Sequence, residues 1–521
     1  MSTPTHTAPF QGRTMSEVVN ELTEEIRELY LADEVPWVVG YSGGKDSTAV
    51  LQLVWLALQG LTAEQRTKPV HVISTDTLVE NPIVASWVTQ SLETMRAAAA
   101  EQQLPIEPHR LTPEVKDTFW VGLIGRGYPA PRPKFRWCTE RLKIRPSNAF
   151  IRRVVRRHGE AILVLGIRKS ESQARSKSMA KHEKRRVRDR LSPNGNLPNS
   201  LVYSPVEEWT TDDVWLFLMQ QANPWGHNNK DLLSMYQGAS ADGECPLVVD
   251  NTTPSCGDSR FGCWTCTLVE KDKSMSAMIQ NDEEKDWMQP LLDLRNDLDV
   301  PDDKHLRDFR RMNGQVQLIA DERVIPGPYT EKSRHEWLTK LFQAQKHVRD
   351  NAPEHVRGIE LITMEELHEI RRIWIFEKHE VQDALPKIYE KVYGETFPGL
   401  PVDAHLAQGS DEMDILREIC DGDELRYSMT RDLLAVERRF RTRTRRTGLY
   451  DELQKTIVKG YYTDEEDALA FKKELEGIVP RTEADPTPSD ADVQESLDLE
   501  GIASRTDHTP AEDEETSNAS A

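Results

Sequence analysis

The residues best suited to chemistry lie in a loop at positions 41–48, with the sequence YSGGKDST. The apolar run that ends at Val39 predicts a buried strand before the loop, and the apolar run from Ala49 predicts a helix after it. A glycine-rich turn between a strand and a helix directs backbone N–H groups and the helix N-terminus at a phosphate. The sequence therefore predicts a phosphate-binding loop formed by Ser42, Gly43, Gly44, Lys45, Asp46 and Ser47.

Asp46 distinguishes this loop from a Walker loop, whose pattern is G-x-x-x-x-G-K-S/T. Here only three residues separate Gly40 from Gly44, and an aspartate follows Lys45. A carboxylate at this position suits a Mg²⁺ ion held against a pyrophosphate leaving group, with the lysine as a mobile positive charge. The prediction is a nucleotide site that uses Mg²⁺ but is not of the Walker type.

Charged residues follow the other apolar segments that predict strands, at 69–74, 105–111 and 161–165. In an open α/β sheet, ligands bind beyond the carboxyl ends of the strands. The fork of an arginine side chain matches phosphate or sulfate oxygens. The alternatives are a helix cap for the aspartate and a solvated basic helix for the arginines. The residues that we expect near the nucleotide are Asp76, Glu80, Gly166, Arg168 and Arg175.

These segments resemble the PP-loop ATP pyrophosphatases of the adenine nucleotide alpha-hydrolase-like group, which cleave ATP between its α and β phosphates. The strings SGGKDS at 42–47, GIRKSESQAR at 166–175 and WTTDDVW at 209–215 are similar to elements of the branch that contains the phosphoadenylyl-sulfate reductases. The string FRWCT at 135–139 resembles the DndC family, the sulfurtransferase-like ATPases of bacterial DNA phosphorothioation. The resemblance ends near Leu268. We expect a doubly wound parallel α/β sheet, a cysteine-rich loop and a mainly helical C-terminal region.

Cys138 stands among three cations, Arg136, Arg141 and Lys143. Cationic neighbours lower the pKa of a thiol and make it a better nucleophile or metal ligand. We therefore expect a lowered pKa and a role in sulfur chemistry. The alternative is an inert, buried cysteine.

Four further cysteines lie within 22 residues, and the last two form a Cys-Trp-Thr-Cys turn. Such a turn points two thiolates at one metal, and a sulfur-only ligand set suits zinc or an iron–sulfur cluster. The spacing does not separate the two, but the resemblance implies a 4Fe–4S cluster. Cys138 either replaces Cys256 as a ligand or relays sulfur beside the cluster. The predicted ligands are Cys245, Cys256, Cys263 and Cys266.

The length of 521 residues exceeds one ordinary core and predicts at least two domains. We expect a nucleotide-binding domain over 13–275, with the cluster loop at 245–266, and a helical region over 276–480. Residues 1–12 and the tail 481–521, which holds 12 acidic residues against two arginines, are expected to be disordered. The sequence has no long apolar run and no leader, so we expect a cytoplasmic protein without membrane contact.

Two basic segments interrupt a chain whose net charge is −21. Residues 168–190 carry ten lysines or arginines against three acids, and 438–446 carry six arginines around one phenylalanine. Local patches rather than net charge decide whether phosphate is attracted. Each segment is either a nucleic-acid contact or an ordinary solvated or partner-binding face.

The resemblance implies an ATP-dependent sulfurtransferase that adenylylates a DNA backbone phosphate and then inserts sulfur. Its catalytic residues would be Lys45, Asp46, Arg168 and Cys138, with ATP, Mg²⁺ and the cluster as cofactors. A cysteine desulfurase would donate sulfur, and other phosphorothioation proteins would be partners. The alternatives are a sulfonucleotide reductase, a tRNA thiolase and a nucleotide-gated DNA-binding scaffold. A reductase needs a mobile C-terminal cysteine, and none follows Cys420.

Overall fold

The computed structural model describes residues 12–476, apart from residues 134, 196, 240–260, 313, 320–322, 355, 381, 399–409, 442–444 and 460–461. Except for Gly12, the terminal segments that we predict to be disordered lie outside the described residues.

A six-stranded sheet forms the centre of the N-terminal half, with the strand order β3-β2-β1-β4-β6-β5. Every neighbouring pair is parallel except β5 with β6. The strand order reverses between β1 and β4, which is where ligands bind in sheets of this kind. The prediction of a doubly wound, mostly parallel α/β sheet is confirmed. The strands are β1 (Trp37–Gly40), β2 (Val70–Thr75), β3 (Ile106–Leu111), β4 (Ala161–Val164), β5 (Ser192–Pro193) and β6 (Ser200–Tyr203).

Helices cover both faces of this sheet. Side chains alternate along a strand, so Trp37 and Val39 enter the larger core on one face, whereas Val38 packs with Phe150 on the other. The helices of this half are α1 (Met15–Leu31), α2 (Lys45–Gln59), α3 (Pro82–Glu101), α4 (Arg145–His158), α5 (Gln173–Glu183), α6 (Thr211–Gln220) and α7 (Asn229–Gly238).

The second half is mainly helical, as predicted, with one short ribbon of strands β7 (Leu318–Ile319) and β8 (Arg323–Val324). Throughout the described part of the chain, each helix is too short or too polar to cross a bilayer. The helices are α8 (Lys273–Asn281), α9 (Gln289–Leu298), α10 (Glu331–Asn351), α11 (Met364–Arg372), α12 (Ala384–Tyr393), α13 (Ser410–Ile419), α14 (Glu424–Arg441), α15 (Leu449–Lys459) and α16 (Glu465–Glu476).

A second hydrophobic core contains residues from both halves of the chain. Trp120 Nε1 donates to the Leu361 carbonyl at 2.8 Å, and Trp374 Nε1 donates to the Ile124 carbonyl at 3.0 Å. Both indoles are buried, so these bonds satisfy donors that would be costly to leave unpaired. The core thus contains residues on each side of position 275.

Candidate active site

The loop between β1 and α2 turns through two glycines. Gly43 has φ +74°, a conformation that favours glycine, and Gly44 lies immediately before the first residue of α2. Ser42 N donates to Ser47 Oγ at 3.2 Å, and that hydroxyl donates to the Gly44 carbonyl at 3.0 Å. The loop therefore presents the N-terminus of α2 at the carboxyl edge of the sheet, as a phosphate site requires.

Asp46 holds two cations beside the loop. Its Oδ2 lies 3.2 Å from Lys45 Nζ, and its Oδ1 lies 2.7 Å from Arg168 Nε. Arg168 is only 2% exposed, and its Nη1 donates to Ser170 Oγ and the Trp209 carbonyl. The aspartate therefore fixes both positive charges that the sequence predicts for the phosphates.

Gly166 allows the chain after β4 to lie directly against the loop. A Cβ at this position would lie 2.8 Å from the carbonyl carbon and oxygen of Asp46 and 3.0 Å from Ser47 N. These are backbone atoms, which cannot rotate away as a side chain can. The absence of a side chain at Gly166 thus allows the close approach that joins Arg168 to Asp46.

We expect Gly166→Ala to destabilise the fold by about 1–3 kcal/mol, the usual cost of overpacking, and to weaken ATP binding because the loop must shift. Urea unfolding and ATP titration would measure the two effects. Gly358→Ala is the matched control, because a Cβ there meets nothing within 4 Å. Equal stability and ATP affinity in both variants would contradict this role.

A cavity of about 970 Å³ opens over the loop. It lies between the carboxyl ends of β2 and β4 and is also lined by the first residues of α4. This position and size suit a nucleotide-sized ligand. Of the residues predicted to bind the nucleotide, all except Gly43 line it: Ser42, Gly44, Lys45, Asp46, Ser47, Asp76, Glu80, Gly166, Arg168 and Arg175.

Asp76 and Arg175 line the cavity as members of ion pairs. Asp76 accepts from Arg110, and Arg175 pairs with Glu171. The helix-cap alternative for Asp76 does not hold for α3, because Asn81 caps that helix and accepts from Ile83 N at 3.0 Å.

Two aromatic residues that support the loop were missed by the sequence analysis. Tyr236 Oη accepts from Lys45 N at 3.3 Å, and its ring lies 5.5 Å from Lys45 Nζ. Burial raises the pKa of this tyrosine, so it stays neutral. Trp87 Nε1 donates to the Gly43 carbonyl at 3.2 Å. Both residues lie on helices where an aromatic side chain normally indicates core, so no motif identifies them.

A short backbone pairing positions Cys263. Residues 262–264 run antiparallel to residues 79–81, and Trp264 N donates to the Val79 carbonyl at 2.9 Å. The segment after β2 therefore holds the cysteine loop beside the carboxyl edge of the sheet.

Glu80 connects this cysteine to the cavity. Its Oε1 lies 4.0 Å from Cys263 Sγ and 3.3 Å from Lys143 Nζ, and Glu80 and Lys143 both line the cavity. Thr77 Oγ1 lies 3.3 Å from the same sulfur. Although desolvation opposes it, the charges of Cys263 and Glu80 raise the pKa of Lys143, which stays protonated. A thiol and the cavity over the loop thus lie beside the same charged pair, Glu80 and Lys143.

Three cysteines converge next to this charged pair. Cys266 N donates to the Cys263 carbonyl at 3.0 Å, which closes the predicted turn. Cys138 and Cys263 each pack against the second core, and burial, together with the charge of Cys266, raises the pKa of Cys138. All three are free thiols. The other two predicted ligands, Cys245 and Cys256, lie outside the described residues.

The expectation of a lowered pKa for Cys138 is wrong. Burial raises the pKa of this thiol and also raises the pKa of Cys263 to about 12. The cations near Cys138 in sequence are engaged elsewhere. Arg141 Nη1 donates to Asp117 Oδ1 at 2.7 Å, and Arg136 Nε donates to the Pro133 carbonyl at 2.9 Å.

This geometry defines the class of fold: a doubly wound α/β domain with a glycine-rich loop at the switch point of the sheet. Residues 36–268 match the family model described as the phosphoadenosine phosphosulfate reductase domain. The match covers somewhat less than half of the chain and shows similarity to that domain.

Two known proteins are similar to parts of this chain. The uncharacterized protein MJ0066 of Methanocaldococcus jannaschii is 26% identical over 245 residues, which are 47% of this chain and 39% of that protein. The match thus spans well under half of the relative's length. The U34-tRNA thiolase NcsA from Methanococcus maripaludis, solved with its 4Fe–4S cluster, matches with a TM-score of 0.27 and 12% identity over 55% of this chain and 81% of that one.

Proposed function

We propose that this protein is an ATP pyrophosphatase and sulfurtransferase that inserts sulfur into the DNA backbone. The observation that carries the proposal is that the cavity over the loop and the cysteine turn lie next to each other, with Glu80 between them. Glu80 lines the nucleotide cavity and also lies 4.0 Å from Cys263 Sγ. Activation of a phosphate and delivery of sulfur would therefore take place side by side.

The nucleotide half supplies fixed positive charge where negative charge develops. A non-bridging oxygen of a backbone phosphate attacks the α-phosphate of ATP, and pyrophosphate leaves. Lys45 and Arg168 stabilise the leaving group, while the loop N–H groups bind its oxygens. Because Asp46 fixes both cations before ATP binds, their positions need little reorganisation.

The residues present fit a Mg²⁺ ion only in part. Mg²⁺ is usually held by one or two carboxylates together with substrate phosphates, and Asp46 offers one carboxylate at the loop. Both its oxygens accept from cations, so the ion would bind together with ATP and compete with Lys45 for Oδ2.

The sulfur half fits an iron–sulfur cluster better than a single zinc ion. With Zn–S bonds of about 2.3 Å, thiolates around one zinc lie about 3.8 Å apart. Among the described residues, the ligand groups found within 4.8 Å of one another do not include Cys138, Cys263 and Cys266. Their wider spacing suits a cluster with several irons. Such a cluster would supply thiolate-stabilised iron for holding sulfur, and this chain would provide the ligands.

Sulfur completes the exchange on the adenylylated phosphate. The outer sulfur of a persulfide attacks phosphorus, and AMP departs with the oxygen that was activated. A second thiol then cleaves the S–S bond, which leaves the phosphorothioate and a disulfide. The three thiols are half-buried, so a sulfur delivered there is partly shielded from bulk water. A cysteine desulfurase is the proposed sulfur source, because such enzymes deliver sulfur as a persulfide.

We expect ATP to be cleaved to AMP and pyrophosphate, not to ADP and phosphate. Chromatography of the nucleotide products, with DNA, a sulfur donor and Mg²⁺ present, would identify the bond that breaks. Mass spectrometry of nuclease-digested DNA would detect the phosphorothioate. ADP as the main product would contradict the proposal. Sulfur found in RNA but not in DNA would identify RNA as the substrate instead.

A sulfonucleotide reductase is the second candidate, because the family match covers that domain. Reduction of a sulfonucleotide needs an accessible thiol on a mobile segment. Cys420, the last cysteine of the chain, is buried and lies directly after α13. Sulfite release from a sulfonucleotide would favour this candidate over the transferase.

A further inference from the structure

Helix α4 carries three exposed arginines that no acidic side chain among the described residues neutralises. Its sequence, RPSNAFIRRVVRRH, contains five arginines and no acidic residue. Arg152, Arg156 and Arg157 are exposed, and within the described part of the chain they form no ion pair or side-chain hydrogen bond. Arg153 instead lies over the ring of Phe150 at 4.9 Å.

The more obvious basic segment is different, because the fold pairs much of its charge. In the segment 168–190, Arg186 lies 3.1 Å from Glu207, and Arg188 lies 2.6 Å from Glu160. The arginine-rich end of α14 also has partners. Arg438 lies 3.2 Å from Glu412, and Arg439 lies 2.9 Å from Glu452. Four other cations of the segment 168–190, Lys177, Lys181, Lys184 and Arg185, are exposed and form no ion pair within the described part of the chain. Three acidic residues lie in the same segment, whereas α4 contains none. Acidic neighbours weaken the attraction of a phosphate backbone, so α4 is the stronger candidate for a phosphate-binding surface.

The position of α4 links its arginines to the nucleotide cavity. Ser147 and Asn148, in the first turn, line the cavity, and Ser147 Oγ lies 3.0 Å from Thr75 Oγ1 at the end of β2. From there the helix runs along the outside of the sheet. At 1.5 Å per residue, the unpaired arginines from Arg152 to Arg157 span about 8 Å of the helix. Arg145, nearer the cavity, pairs with Asp117.

We propose that the phosphodiester backbone of the nucleic-acid substrate binds along α4, with phosphates on Arg152, Arg156 and Arg157. This inference rests on the proposed function, because it assumes a nucleic-acid substrate. The strand would run from the arginine face to the cavity mouth, where one phosphate meets ATP. A span of about 8 Å corresponds to about two phosphates of one strand at 3.4 Å of rise each.

Nucleic acid fits this face better than an acidic protein for two reasons. The arginines lie on a helix whose first turn lines a cavity suited to phosphate, whereas a protein partner would bring irregularly placed carboxylates. The chain as a whole has a net charge of −21, so it repels a polyanion except where free cations are concentrated.

The test removes three charges from α4 and compares salt dependence. In the variant Arg152→Gln/Arg156→Gln/Arg157→Gln, a fluorescent DNA duplex should bind at least about tenfold more weakly at low salt, with a log–log salt slope smaller by about 2.7. The lysine version of the same triple variant should recover the slope, because it restores the charges. Thermal unfolding would verify that both variants are folded.

The matched control is Lys332→Gln/Lys387→Gln/Lys391→Gln, which removes three exposed charges from the helical region. It should retain wild-type DNA affinity and slope. ATP affinity of each protein would be measured separately. If the wild-type protein binds DNA and the α4 variant binds it equally well, the α4 assignment alone is overturned. A wild-type protein that binds neither DNA nor an RNA duplex, or whose α4 face binds only an acidic protein, would overturn both proposals.

Discussion

Lys45→Ala is expected to lower the rate of pyrophosphate release at least about 100-fold, the loss typical when one donor to a developing charge is removed. The ammonium lies at the N-terminus of α2, 3.2 Å from Asp46, and is only 13% exposed. A partly buried charge next to a leaving pyrophosphate is screened weakly, so its removal raises the barrier. Coupled detection of pyrophosphate would give the rate.

Asp46→Ala should lose activity to a similar extent for another reason. Without the carboxylate, Arg168 is left as a buried cation that keeps only neutral partners, and removing such a partner typically costs about 1–3 kcal/mol. Urea unfolding should therefore show a loss of stability for Asp46→Ala that Lys45→Ala does not share.

Lys332→Ala, on an exposed position of α10, is the control for a lost lysine. It should keep the wild-type rate and stability. Normal pyrophosphate release by a correctly folded Lys45→Ala protein would contradict the role that we assign to the loop.

The sheet and the loop could be predicted because their signals are local. The apolar run before the loop became β1 and the segment 161–165 became β4, since short apolar runs bounded by turn residues have few alternatives. The position of the cavity also followed, because ligands in such sheets bind beyond the carboxyl ends of the strands.

The pairing inside the site depends on contacts between distant residues. Arg168 lies 122 positions from Asp46 in sequence, and no spacing rule connects them. The same limitation explains the wrong expectation for Cys138. Arg141 is close to it in sequence, but the Arg141 guanidinium forms an ion pair with Asp117. Nearby charge in a sequence predicts a pKa only when the side chains also meet in space.

The arginine face of α4 shows a further limit of composition. The segment 168–190 has more basic residues than α4, and composition alone therefore favours it as a nucleic-acid contact. Its acidic partners, such as Glu160 and Glu207, come from other elements of the fold. Only the three-dimensional pairing reveals which cations remain free.

The second large effect concerns iron. Cys263→Ala and Cys266→Ala should each remove most of the iron and the brown chromophore from anaerobically purified protein. The two thiols bracket one turn, and losing either leaves an incomplete ligand set. Because a metal site contributes folding energy to its own loop, solubility should also fall. Iron analysis and visible absorption would measure the loss.

Cys138→Ala distinguishes a cluster ligand from a sulfur relay. A relay thiol has to reach the activated phosphate, yet Cys138 is not among the residues that line the nucleotide cavity in the described part of the chain. It instead packs against the second core, as Cys263 does. We therefore expect Cys138→Ala to lose iron as completely as Cys263→Ala does. Cys420→Ala, which alters a buried cysteine after α13, should keep its iron and serves as the control. A Cys138→Ala protein that keeps its iron and cleaves ATP, but transfers no sulfur, would establish the relay instead. In that case the cluster would need its remaining ligands from the loop at 245–256.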